Sequence, residues 1–125
     1  MQAILQSQGI HHITLNGADR ETSIGFWQDV LGMKLIFEQP NLDDATENHL
    51  YFDCGDGRTV TIFTNESRTG KTDPLDTSVG SVHHLAFWVS QSTIRIAEKK
   101  LKEKGIGSSG IKDRGFMDSI YFRDP

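Results

Sequence analysis

The sequence predicts an α+β fold made of two consecutive βαβββ modules, and three observations carry that prediction. The stretch GIHHITL, Gly9 to Leu15, returns some seventy positions later as SVHHLAF, Ser81 to Phe87. Each copy leads into a segment with helical spacing, and each of these closes on a glycine, Gly32 and Gly105, about twenty residues after the second histidine of its pair. Short alternating apolar stretches follow each glycine. A repeat at fixed offset marks an internal duplication.

In the first copy, Ile10 to Leu15 alternates as a strand and Asn16 to Arg20 is a polar loop. In ETSIGFWQDVLG, the residues Ile24, Trp27 and Leu31, with Phe26 and Val30, fall on one helical side. MKLIFEQ, HLYFDCG and RTVTIFT then read as three strands, the last two a hairpin across the glycines of GDG. The module spans about residues 8–66. The polar run NESRTGKTDPLDTSVG has no apolar period and supplies a linker, residues 67–79. In the second module, residues 80–125, SVHHLAFWV is the strand. STIRIAEKKLKEKG is the helix, with Ile94, Ala97 and Leu101 on its buried side. Its last stretch, SIYFRDP, stops where the first module adds another strand.

At 125 residues the chain suits one domain that buries its own core, so a metal would serve chemistry rather than folding. The net charge of -4 is interspersed along the chain, which excludes nucleic acid and anionic membrane as expected partners. No apolar run approaches the roughly 18 residues of a membrane span, and MQAILQSQG lacks the features of a signal peptide. Cys54 is the single cysteine, so no disulfide framework exists and a reducing cytoplasm is the expected compartment. A small-molecule substrate and a second copy of the chain, in a homodimer, are the expected partners.

Strand alternation sorts the histidines. His11 shares a face with Ile13 and Leu15, and His12 shares the other with Thr14. In the second copy His83 goes with Leu85, Phe87 and Val89, and His84 with Ala86. The apolar face must meet the helix, so His12 and His84 turn to the concave side, beside the small residues Thr14 and Ala86 as pocket lining. A symmetric pair of inward imidazoles is a metal-ligand pattern.

From GIHHITL and FWQDVLGMKL through HLYF to VHHLAF and SIYFRDP, the chain resembles the vicinal oxygen chelate superfamily of glyoxalases, extradiol dioxygenases, epimerases and antibiotic-resistance proteins. It is most similar to the hydroquinone-type ring-cleaving dioxygenases, whose cupped sheets hold iron(II) or manganese(II) with two histidines and a glutamate. The resemblance implies His12 and His84 as metal ligands. It also implies an outer shell of His11, Thr14, His83, Arg114 and Tyr121. The implied glutamate belongs on a strand after YFRDP, absent from this sequence, so the expectation is a truncated form of a longer protein with a weakened site.

Two imidazoles and a carboxylate on one face of iron(II) leave positions for substrate and dioxygen. His11, His83 and Tyr121 are then the candidates for moving protons, and Arg114 for holding an anionic oxygen. Packing or solvation explains His11, His83, Tyr121 and Arg114 equally well, and Cys54 reads as a small apolar filler. His49 in HLYF carries no assigned mechanism. Two other functions stay open: a glyoxalase-like lyase or isomerase, weakened because RTVTIFT holds no carboxylate, and a metal-free protein that sequesters an antibiotic.

Overall fold

A computed structural model describes residues 3–70 and 76–125, so Lys71 to Leu75 of the expected linker lie outside the described residues. The described residues fall into two compact units, one up to Gly70 and one over residues 76–124. Their mixed sheet and two main helical segments make the α+β architecture.

The first unit runs strand, helix, three strands. β1 is His12–Asn16, α1 is Arg20–Ile24 with a π-helical continuation over Gly25–Val30, β2 is Leu35–Pro40, β3 Asn48–Asp53 and β4 Thr59–Thr64. Asp19 starts the helix by accepting a bond from the Thr22 N–H at 2.8 Å, which holds its carboxyl below the usual range. In the wide turn that follows, the Leu31 N–H reaches the Phe26 carbonyl five residues back at 3.1 Å. This extra residue brings the adjacent rings of Phe26 and Trp27 both into the core. Gly32, at φ +70°, ends the segment as its position predicts.

The sheet order is β1-β4-β3-β2, with β1 parallel to β4 and the other neighbours antiparallel. Register then assigns the faces. Leu50 lies opposite Ile62 and Phe52 opposite Val60; all four are buried, and Ile13 and Leu15 align with Val60 and Ile62. This face meets the helix, where the Trp27 and Phe52 ring centroids are 6.4 Å apart. Arg20 at the helix start donates to Glu38 on β2 at 2.7 Å, fastening the helix to the edge strand. The glycine hairpin closes as expected, with Gly55 and Gly57 at positive φ and the Cys54 N–H donating to the Arg58 carbonyl. Residues 67–70 of the linker are not all free loop: Arg68 donates to Glu47 at 2.6 Å and to the Phe63 carbonyl at 3.0 Å.

Gly17 marks the closest approach between loop and sheet. Its N–H donates to the Phe63 carbonyl at 2.9 Å, and an added Cβ would run into the Ile62 side chain, itself fully buried. Gly17→Ala is expected to destabilise this unit by about 1–3 kcal/mol through overpacking. A double-mutant cycle with Ile62→Ala, read by denaturant unfolding, should show that penalty shrink. Equal penalties in both backgrounds would mean that the close approach is not the cause.

In the second unit α2 spans Gln91–Glu103, started by Ser90, whose hydroxyl accepts from the Thr93 N–H, and ended at Gly105, φ +72°. Ile94 and Leu101 are buried and Ala97 is half-buried, the side that the spacing predicts. β5, Lys112–Asp113, and β6, Asp118–Ser119, form a short antiparallel pair, extended by a bridge between Ser108 and Phe122. The expected strand over 81–89 does not join a ladder, and Trp88 is fully exposed. The first unit gives the physical reason. There β1 has a single neighbour, the module's last strand, and among the described residues of the second unit no strand takes that place. Alternation alone cannot make a strand without a partner for its N–H and C=O groups.

Candidate functional site

The face of the first sheet turned away from the helix carries the polar and aromatic side chains. Register puts His12, Thr14 and Asn16 of β1 beside Thr59, Thr61 and Phe63 of β4, and these beside Asp53, Tyr51 and His49 of β3. Phe37 and Gln39 of β2 complete it. The rings make a continuous row: Phe37 to Tyr51 at 5.3 Å between centroids, Tyr51 to His49 at 4.4 Å, and His49 to Phe63 at 4.4 Å. A hydrogen-bonded row crosses them, with the Tyr51 hydroxyl 3.2 Å from His49 Nδ1, His49 Nε2 2.8 Å from Thr61 Oγ1, and that oxygen 2.7 Å from Thr14 Oγ1.

Thr14 thus stands on the same face as His12, as alternation predicts. His11 does not follow its expected placement with Ile13 and Leu15. The strand begins only at His12, so His11 sits in the preceding bend and its Nδ1 lies 2.8 Å from the Nδ1 of His12. The second pair repeats this arrangement, with His83 Nδ1 2.7 Å from His84 Nδ1. His83 therefore does not stand apart from His84 on an opposite strand face, and Ala86 is an exposed residue of a segment outside any ladder.

Within the second unit three predicted residues come together. The His84 and Tyr121 rings meet edge to face at 6.1 Å, and the Arg114 guanidinium carbon lies 5.4 Å from the Tyr121 ring centre. The β5–β6 turn carries Arg114, whose N–H donates to the Met117 carbonyl at 2.8 Å. Tyr121 is fixed through its backbone by Ser109, whose N–H donates to the Tyr121 carbonyl at 2.9 Å and whose hydroxyl accepts from the Tyr121 N–H. The Arg114 guanidinium, assisted by Ser119, holds the Tyr121 phenol below its ordinary value of 10.0. With Tyr51 replaced by Phe so that Tyr121 is the sole tyrosine, Arg114→Ala should move the phenolate absorbance titration upward toward 10.0. An unmoved titration would remove Arg114 as the group that favours the phenolate.

Sequence reasoning left His49 without a role, and it missed Tyr51 and Thr61. The available signal was the hairpin: once the GDG turn fixes the register, HLYF and TVTIF place these three side chains on the face of His12. Burial, and after it the charge of His12, keeps the His49 imidazole below its usual value of 6.5 and so favours its neutral form. Cys54 is half-buried and its thiol is pushed up by burial and then by Asp56, which suits the filler role and disfavours a nucleophile.

The described histidines suit a divalent metal in kind, because imidazole is a common ligand of such ions. They do not make a whole site: no group of three or more His, Cys, Asp or Glu that could hold a metal is present among the described residues. No helix among them is long and apolar enough to cross a membrane.

A mixed sheet that gives one face to its helix and keeps histidines, hydroxyls and rings on the other, followed by a unit that repeats the histidine pair, defines an α+β protein with an internally repeated sequence. Residues 9–125 match the Glyoxalase/Bleomycin resistance protein/Dioxygenase superfamily, and the chain belongs to it. It is 25% identical over 124 residues to a Bacillus subtilis protein named as a ring-cleaving dioxygenase, MhqA, covering 96% of this chain and 38% of that one. It is 30% identical over 119 residues to the metallothiol transferase FosB of Staphylococcus haemolyticus, covering 94% of this chain and 76% of that one. The crystal structure of a Bacillus subtilis protein named as a dioxygenase superposes with a TM-score of 0.77 at 27% identity, over 96% of this chain and 38% of that one. The chain therefore spans 38% of the length of the dioxygenase-named relative.

Proposed function

We propose that the chain acts in a metal-dependent ring-cleaving dioxygenase on a small aromatic diol or hydroquinone. The carrying observation is the far face of the first sheet, where His12 and Thr14 adjoin the ring row of Phe37, Tyr51, His49 and Phe63. A flat aromatic substrate stacks or meets edge to face with such rings, and hydroxyls beside them suit its oxygens. The similarity to MhqA over nearly the whole chain supports the same reading. His12 and His84 are the proposed imidazole ligands of iron(II) or manganese(II). Tyr121, with its phenol lowered by Arg114, is the proposed proton-transfer group of the second unit, and Arg114 holds an anionic oxygen.

The identity to FosB, which the chain covers for 76% of its length, favours a second reading: transfer of a thiol to a small electrophile. Oxygen uptake separates the two. Protein supplied with iron(II) or manganese(II) and a catechol or hydroquinone should consume oxygen and yield a ring-opened product. Thiol consumption without oxygen uptake would replace the first reading by the second.

A further inference from the structure

The row from Tyr51 to Thr14 has a direction, and the structure assigns His49 as the residue that sets it. Five polar atoms on four side chains follow one another on the far face of the first sheet: Tyr51 hydroxyl, His49 Nδ1 and Nε2, Thr61 Oγ1 and Thr14 Oγ1. A neutral imidazole donates from one nitrogen and accepts at the other, so the bond at Nδ1 decides the bond at Nε2. A phenol is the better donor and an imidazole nitrogen the better acceptor, so Tyr51 donates to Nδ1. Nε2–H then donates to Thr61.

Thr61 is 0% exposed, and its hydroxyl proton has to be given to an acceptor or be left buried without one. His49 already donates to it, so the available acceptor in the row is Thr14 Oγ1, at 2.7 Å. Thr14 accepts that bond and keeps its own proton. It stands two residues from His12 on the same face, so the relay ends in a hydroxyl primed to donate beside His12. The ligand it suits is an oxygen with electron pairs to share: a phenolate, an enolate or a carbonyl of the substrate. In this arrangement His49 is a positioning residue that acts through Thr61, and it is not a metal ligand. The ligand identity rests on the proposed function, whereas the direction of the row does not.

The test is the tautomer of His49, read by nitrogen-15 NMR of the uniformly labelled 125-residue protein at neutral pH, without metal or substrate. The expected result is a neutral ring protonated at Nε2, favoured over the Nδ1–H form roughly tenfold or more, since two hydrogen bonds select it. Tyr51→Phe removes the donor at Nδ1 and should erode that preference, while His12→Ala should leave it in place. A predominant Nδ1–H form, an imidazolium, or a preference unchanged in Tyr51→Phe would overturn the relay. The native spectrum decides the matter even if a variant fails to fold. Because no metal enters the measurement, its failure and a failure of the metal-dependent reading are seen separately.

Discussion

Phe52→Ala is expected to lower the stability of the first unit by about 3–5 kcal/mol, the range for an aromatic ring removed from a packed core. Phe52 is 0% exposed, lies opposite Val60 and Leu35 on the helix-facing side, and meets the Trp27 ring at 6.4 Å. Its removal deprives both the π-helical turn and the two central strands of their shared contact. A single domain commonly has only about 5–15 kcal/mol in total, so much of the far face, His12 and His49 included, should lose its order with it. Leu42→Ala is the control. At 82% exposed, Leu42 should move the unfolding midpoint by no more than about 0.5 kcal/mol. A Phe52→Ala protein with an unfolding midpoint close to that of the control would show that the helix is held to the sheet by something other than this ring.

The parts of the fold legible in the sequence are those fixed by local chemistry. Gly32 and Gly105 end helices because the chain needs positive φ there, and Gly55 and Gly57 turn the hairpin for the same reason. The helix-facing residues Leu50, Phe52, Val60 and Ile62 follow from alternation once that hairpin is placed. Where the outcome depends on a partner distant in sequence, the residues themselves say less. Residues 81–89 alternate as well as His12 to Asn16 do, yet among the described residues only the latter have a neighbouring strand to pair with. The misplacement of His11 has a smaller cause of the same kind. Pairing with Thr59 starts the ladder at His12, two residues later than the alternation from Ile10 predicts, and His11 is released to meet its neighbour's ring. The π-helical turn has no sequence signature of its own. His49 became meaningful only through cross-strand register, which joins residues twelve positions apart at Thr61.

The repeated Nδ1 to Nδ1 contact in both histidine pairs bears on the metal-ligand proposal, because it limits which nitrogen is free. Two neutral rings joined in this way share one proton on the bond. If His12 donates from Nδ1, its Nε2 keeps a lone pair for a metal, whereas if His11 donates, the proton of His12 sits on Nε2 and blocks it. The same logic holds for His84 and His83. A metal held by Nε2 of His12 would select the first arrangement in that pair, and one held by Nε2 of His84 would do the same in the other, with the outer histidine in each case the acceptor that fixes the ligand tautomer. Different losses follow for the two members. His12→Ala or His84→Ala should weaken manganese(II) binding by more than about a hundredfold, beyond the roughly 10–100-fold span that outer-shell changes produce. His11→Ala and His83→Ala should fall within that span, since the ligating nitrogen survives but loses its orienting acceptor. Titration of manganese(II) by its electron paramagnetic resonance signal reads all four variants. Equal losses across each pair would show that the outer histidines ligate as well, and unchanged affinity in His12→Ala or His84→Ala would show that the imidazole replaced there is not a ligand.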